Sequence, residues 1–139
     1  MKNYIRKTKE EQYDPNKKMP QRGEDPLKVI TELLKEEKKI SCFAFINRDW
    51  EGDTLPGGTL NESGTILAKD GKIYDYWLDW DPEKIAPDGS KGYYTLGENF
   101  VSERTGKPYP LFREVSPEEY QKYQDDPSFI AAKKRLGLK

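Results

Sequence analysis

The sequence predicts an α+β fold: a mainly antiparallel sheet of about four to six strands, one N-terminal helix and one or two C-terminal helices. Three observations carry this expectation. A capped apolar stripe at helical spacing follows Asp25; Asp70-Gly71 stands between two β-prone runs; and two capped helical starts follow Ser116 and Asp126 near the end of the chain. No alternating βαβ run lies between them, so hairpin-type pairing is favoured over a parallel sheet.

Residues 1–24 read as a basic N-terminal arm, flexible or ordered by a partner, and residues 25–139 as a single domain. The arm holds only Tyr4, Ile5, Tyr13 and Met19 as sizeable apolar groups. Tyr4 and Tyr13 are its natural anchors, either on a partner or on a second copy in a homo-oligomer. In the first helix Asp25 is the expected N-cap and Pro26 the first helical residue, with Leu27, Ile30, Leu33 and Leu34 forming the inward stripe. Ile40 to Ile46 then form a short apolar run with the length and aromatic content of a buried strand, in which Cys42 reads as a small core residue.

Residues 53–64, DTLPGGTLNESG, form a loop by their Pro and Gly content. The glycines lack the Gly-Lys-Ser/Thr that a phosphate loop requires. A hairpin follows, with Asp70-Gly71 as a two-residue type I′ turn. That turn pairs Leu67 with Tyr74 and Ile66 with Asp75. Strand alternation then puts Tyr74, Tyr76, Leu78 and Trp80 on the core side, and Ile73, Asp75, Trp77, Asp79 and Asp81 on the other, with Pro82 ending the strand. Two or three more strands are expected between residues 91 and 115, the last held at a sheet edge by Pro108 and Pro110. Ser116-Pro117-Glu118-Glu119 is a capping box. Asp126-Pro127 starts a helix carrying Phe129, Ile130 and Leu136, closed by Gly137, with Lys133, Lys134 and Arg135 at the negative end of its dipole.

Composition narrows the chemistry. The chain has no histidine and one cysteine, which removes His-dependent nucleophile chemistry, a multi-cysteine zinc site and an internal disulfide. The net charge of −1 hides an asymmetry. Residues 1–24 carry +3 and residues 133–139 carry +4, which leaves −8 for residues 25–132. An acidic body of that kind repels a nucleic-acid backbone, so nucleic acid is disfavoured as a partner. No segment is long and apolar enough for a membrane span, and no apolar signal region opens the chain, so a cytoplasmic location is expected.

The candidate site is the run DGKIYDYWLDWDPEK, which crowds aromatics and carboxylates together. In the leading reading the Trp77 face, rimmed by Asp75, Asp79 and Asp81 and widened by Trp50, Tyr93 and Tyr94, contacts a protein partner of basic character. The protein is then a non-catalytic adaptor, inhibitor or subunit that needs no cofactor. In the alternative reading Asp49 and Asp53 join Asp79 and Asp81 around Mg²⁺ or Mn²⁺ to hydrolyse a phosphoester, as oxygen ligands suit hard cations. That second reading requires the two acidic segments to be neighbours.

Overall fold

The structure is a computed structural model that describes residues 25–54, 60–97, 99–101 and 105–138, without the side chains of 50–54, 99–101 and 109. The N-terminal arm expected over residues 1–24 lies outside the described residues, as do residues 55–59 of the loop expected over 53–64. The rest of that expected loop is paired strand instead, Asp53 opposite Asn61 and Thr54 opposite Leu60, because the two strands extend their ladder past the polar residues on either side of Pro56-Gly57-Gly58. The elements run α1 (Pro26–Lys38), β1 (Phe43–Thr54), β2 (Leu60–Ala68), β3 (Ile73–Trp77), β4 (Asp79–Ile85), β5 (Lys91–Thr95), β6 (Asn99–Val101), β7 (Pro108–Pro110), β8 (Phe112–Glu114), α2 (Pro117–Lys122) and α3 (Pro127–Leu136). A four-stranded antiparallel sheet in the order β1-β2-β3-β8 stands beside two ribbons, β4-β5 and β6-β7. This is the α+β fold the sequence predicts. No helix among the described residues is long and apolar enough to cross a membrane.

Both faces of the sheet are covered over part of their length. On one face α1 and the β4-β5 ribbon bury Ile30, Leu33 and Leu34 against Ile66, Tyr76, Leu78, Tyr94 and Leu96. On the other, α3 seats Phe129, Ala132 and Leu136 on Ala44, Ile46, Leu67, Ile73 and Val115. Fully burying a side chain of this size contributes about 1.5–3 kcal/mol, so the two layers share the task of stabilising a thin sheet.

The helix ends follow the capping logic. Asp25 accepts from the Leu27 amide and Pro26 opens α1, while Asp126 accepts from the Ser128 amide and Pro127 opens α3. Ser116 and Glu119 complete the capping box of α2 in both directions. The buried stripe of α1 is Val29, Ile30, Leu33 and Leu34, and the expected Leu27 is 45% exposed because it lies one turn before the sheet contact begins. On α3 the inward position beside Phe129 belongs to Ala132, and Ile130 faces out. Cys42 is exposed rather than in the core. It precedes the strand, where its carbonyl accepts from the Lys69 amide while its side chain turns outward.

The β2-β3 hairpin differs from the expected type I′ turn. Leu67 pairs with Ile73 and Ile66 with Tyr74, one residue off the predicted register. The Gly71 amide bonds the Ala68 carbonyl and the Ala68 amide bonds the Lys72 carbonyl, closing a three-residue loop. Type I′ needs positive φ at both Asp70 and Gly71; only Gly71 has it, at 89°. Asp70 instead accepts from the Lys72 amide, so its side chain holds the turn in place of a left-handed backbone.

The run 73–81 is also not one strand. It breaks at Leu78, whose amide bonds the Glu62 carbonyl, and β4 leaves for the separate ribbon with β5. Pro82 does not end β4, which continues to Ile85 through a register shift after Asp81. In a two-stranded ribbon a proline amide costs no ladder bond on the open side. The expected last strand divides at Leu111: Pro108–Pro110 pairs with β6, and Phe112–Glu114 becomes the sheet edge.

Candidate functional site

Two features of β1 and β2 arrange the charged groups. The first is a bulge. Phe45 opposes Ile66 and Asn47 opposes Thr65, so Ile46 is the extra residue. Such an insertion inverts the facing of everything beyond it. Arg48 therefore joins Phe45 on the α1 side, its guanidinium 4.8 Å from the Phe45 ring centroid, and Asp49 moves to the α3 side.

The second feature is Glu62, which strand alternation points to the α1 side, where it is fully buried. Arg48 donates to both its oxygens at 2.8 Å, and the Tyr76 hydroxyl donates at 2.6 Å. A buried carboxylate is tolerated only when paired and hydrogen-bonded, and the bulge is what brings Arg48 round to do this. Burial pushes the Tyr76 phenol well above its ordinary pKa, with the hydrogen bond to Glu62 adding to the rise. Gly64 keeps the room: a Cβ there would stand 2.5 Å from the Asn47 carbonyl oxygen and 2.8 Å from the Tyr76 hydroxyl. Gly64→Ala is expected to cost about 1–3 kcal/mol by overpacking, read as a lower urea midpoint with an unchanged slope.

On the opposite face, beyond the residues that α3 covers, lies a polar row. Asp49 pairs with Ser63 and Ser63 with Trp77, so the three stand side by side across β1, β2 and β3. Asp49 is exposed, while Ser63 and Trp77 are half-buried. One step toward the helices, Asp75 pairs with Arg113, which holds it at 2.8 Å, and Thr65 donates to its other oxygen at 2.9 Å. Arg113 also grips Glu119 at 2.9 Å, tying the sheet to the start of α2.

That pair has an acid signature. The Arg113 hydrogen bond, with the Ser116 backbone behind it, holds the Glu119 carboxyl down at about 2 against an ordinary 4.5. Between those values the unfolded chain binds the proton that the folded chain refuses, so the stabilisation is complete above pH 4.5 and lost as pH falls toward 2. The thermal midpoint of the native chain is expected to fall more steeply over that window than that of Glu119→Gln. Parallel curves would remove the pair from the acid response.

The remaining predicted residues are distributed as follows. Asp79 is buried and sits opposite Thr95 in the β4-β5 ribbon. Asp81 accepts from the Glu83 amide and shapes its own turn. Tyr93 and Tyr94 are core residues, not surface ones, because β5 packs under α1; the Tyr94 hydroxyl accepts from the Leu60 amide. The side chains of Trp50 and Asp53 lie outside the description. Trp77 and Asp75 thus share a face with Asp49, whereas Asp79 and Asp81 belong to a different ribbon. Among the described residues no three His, Cys, Asp or Glu side chains gather in a way that could hold a metal ion.

Sequence reasoning missed Ser63 and Glu62. A signal for Glu62 existed, since a charge two places before Gly64 and four before Ile66 on a strand is aimed inward and needs a cation. Ser63 carried none, because its place between Asp49 and Trp77 depends on two strand registers. No protein-family model, curated protein or solved structure matches the chain.

Proposed function

We propose that this protein is a non-catalytic protein-interaction module, an adaptor, inhibitor or subunit of a larger assembly, whose contact surface is the open half of the α3-side sheet face. The observation that carries the reading is the row Asp49–Ser63–Trp77: a half-buried indole beside an exposed carboxylate that makes no ion pair with any described residue. Tryptophan is the side chain most enriched among residues that dominate binding, and a charged rim beside it sets orientation and partner choice. The other large aromatics of the same run are drawn inward. Tyr76 is buried, Trp80 packs edge-on to Tyr94 at 5.0 Å, and Tyr74 stacks on Phe112 at 4.9 Å.

A photo-crosslinking residue at Ser63 tests this in the source cell extract, with one at Ser90, on the exposed β4-β5 turn, as control. One dominant adduct at position 63, absent at position 90 and lost in Trp77→Ala, is the expected result. Equal adducts at both positions, or an adduct indifferent to Trp77, would remove this face from the function.

A further inference from the structure

Independently of that row, we infer that the outer edge of β1 at Phe43–Phe45 takes up an extended acidic segment of a partner protein as an added strand. β1 ends the four-stranded sheet, so among the described residues only one of its edges is paired. The register shows which backbone groups are left over. The Lys69 amide bonds the Cys42 carbonyl, and Ala44, opposite Leu67, stands two places along the same ladder. Antiparallel pairing bonds alternate residues, so Cys42 and Ala44 face β2 while the N–H and C=O groups of Phe43 and Phe45 point to the open side. The Arg135 guanidinium agrees with this direction, reaching the Phe45 carbonyl from outside at 3.5 Å. Ser41, Cys42 and Asn47, flanking the stretch, are all exposed. The inserted Ile46 ends the regular edge, which limits an added strand to a few residues.

Charge identifies the occupant. Three segments far apart in sequence bring cations to this end of the sheet. Lys39 closes α1 just before β1, Lys69 opens the hairpin turn beside Cys42, and Lys134 and Arg135 lie in the last turn of α3. The Lys69 ammonium donates to the Leu136 carbonyl at 2.5 Å and so draws the α3 terminus against the hairpin. All of these cations are exposed, and among the described residues none is paired with a carboxylate. Lys39, Lys69 and Arg135 donate to carbonyls instead. The nearby Asp70 is turned to the Lys72 amide and the Tyr74 hydroxyl. Each helix terminus supplies about half a negative charge, which offsets only part of this excess. A second copy of the same edge would bring like charges together, so the charge pattern selects an acidic strand over self-pairing. Alternation sets the pattern of that strand. On the α1 side it meets the half-buried rings of Phe43 and Phe45, and on the other side Arg135 of α3. The fitting segment therefore alternates apolar and acidic residues. Arg135 exchanges the Phe45 carbonyl for a carboxylate, a stronger acceptor, and an incoming amide takes the carbonyl.

The test titrates a short, labelled, blocked peptide of alternating valine and glutamate with the full chain, following fluorescence anisotropy. Matched peptides carry glutamine for glutamate, or N-methyl groups on alternate amides in each of the two registers. Saturable binding is expected, weakened about tenfold by the glutamine peptide or in Arg135→Gln, in line with a hydrogen bond between charged groups. N-methylation in one register should abolish binding, and in the other leave it. Bound peptide should slow amide exchange at Phe43 and Phe45 but not at Ala44, which already bonds β2. Arg135 is exposed, and the urea midpoint of its variant checks that the fold is kept. No saturable binding would leave Arg135 as a guard against edge pairing and overturn the inference. Equal binding of both N-methylated peptides, or of a single-stranded oligonucleotide, would reduce the edge to a patch for polyanions and overturn it as well. Slow exchange at Phe43 and Phe45 in the concentrated free chain, lost on dilution, would assign the edge to a second copy and overturn the partner assigned here.

Discussion

Arg48→Ala is expected to destabilise the fold by about 3–5 kcal/mol, the cost of leaving a buried charge without its partner. Glu62 is fully buried, and both of its oxygens are taken up by Arg48 and Tyr76. Without the guanidinium, the carboxylate has to protonate, draw in water or pull β2 away from α1. Removing both charges is a different matter. In Arg48→Met with Glu62→Leu no charge is left to desolvate, and such replacements are often neutral or stabilising when they pack well. Tyr76 then has a buried hydroxyl without its acceptor, so Tyr76→Phe belongs in the same protein. Urea unfolding of the single, double and triple variants checks the order: the single variant is the least stable, and the triple regains most of the loss. If Arg48→Ala unfolds at the native midpoint, Glu62 is stabilised by something other than this pair.

The Arg48–Glu62 pair also illustrates what could be read from the chain alone. Helix ends were legible because capping is local: Asp25, Ser116 and Asp126 each act within three residues of their own position. Strand existence was legible from alternation and from the glycine-marked turn. Faces were less so, since a one-residue change in loop closure or an inserted residue reverses every side chain beyond it. The bulge at Ile46 did this to Arg48 and Asp49, and the loop at Lys69–Gly71 did it to the β2-β3 pairing. Neither leaves a compositional trace. Strand alternation correctly grouped Ile73, Asp75 and Trp77, yet it took that side as the wet one. Ile73 is fully buried because a helix more than fifty residues away in sequence covers it. The wet part of the face begins only where that helix stops, and so the candidate contact row is narrower than the sequence suggested.

Phe129→Ala should produce a loss of similar size, about 3–5 kcal/mol, for a wholly different reason. The ring is 1% exposed and lies in the layer that seals Ala44, Ile46, Leu67 and Ile73, with Tyr120 and Tyr123 packed around it at centroid distances of 6.0 and 6.3 Å. Deleting it forfeits the transfer energy of the largest apolar group on α3 and leaves a cavity that a ten-residue helix cannot close by bending. Two polar ties, the Lys69 ammonium on the Leu136 carbonyl at 2.5 Å and the Arg113–Glu119 pair, still hold the segment at its ends. Amide hydrogen exchange of the variant is therefore expected to speed up first in α3 and along β1, whose apolar residues it covers, while α1 on the far face keeps its protection. Uniform loss of protection would show that the two sides of the sheet fold as one cooperative unit. Selective loss would mean that the C-terminal layer is a separable cover over an apolar half-face, whose removal loosens β1 and leaves the α1 side of the sheet intact.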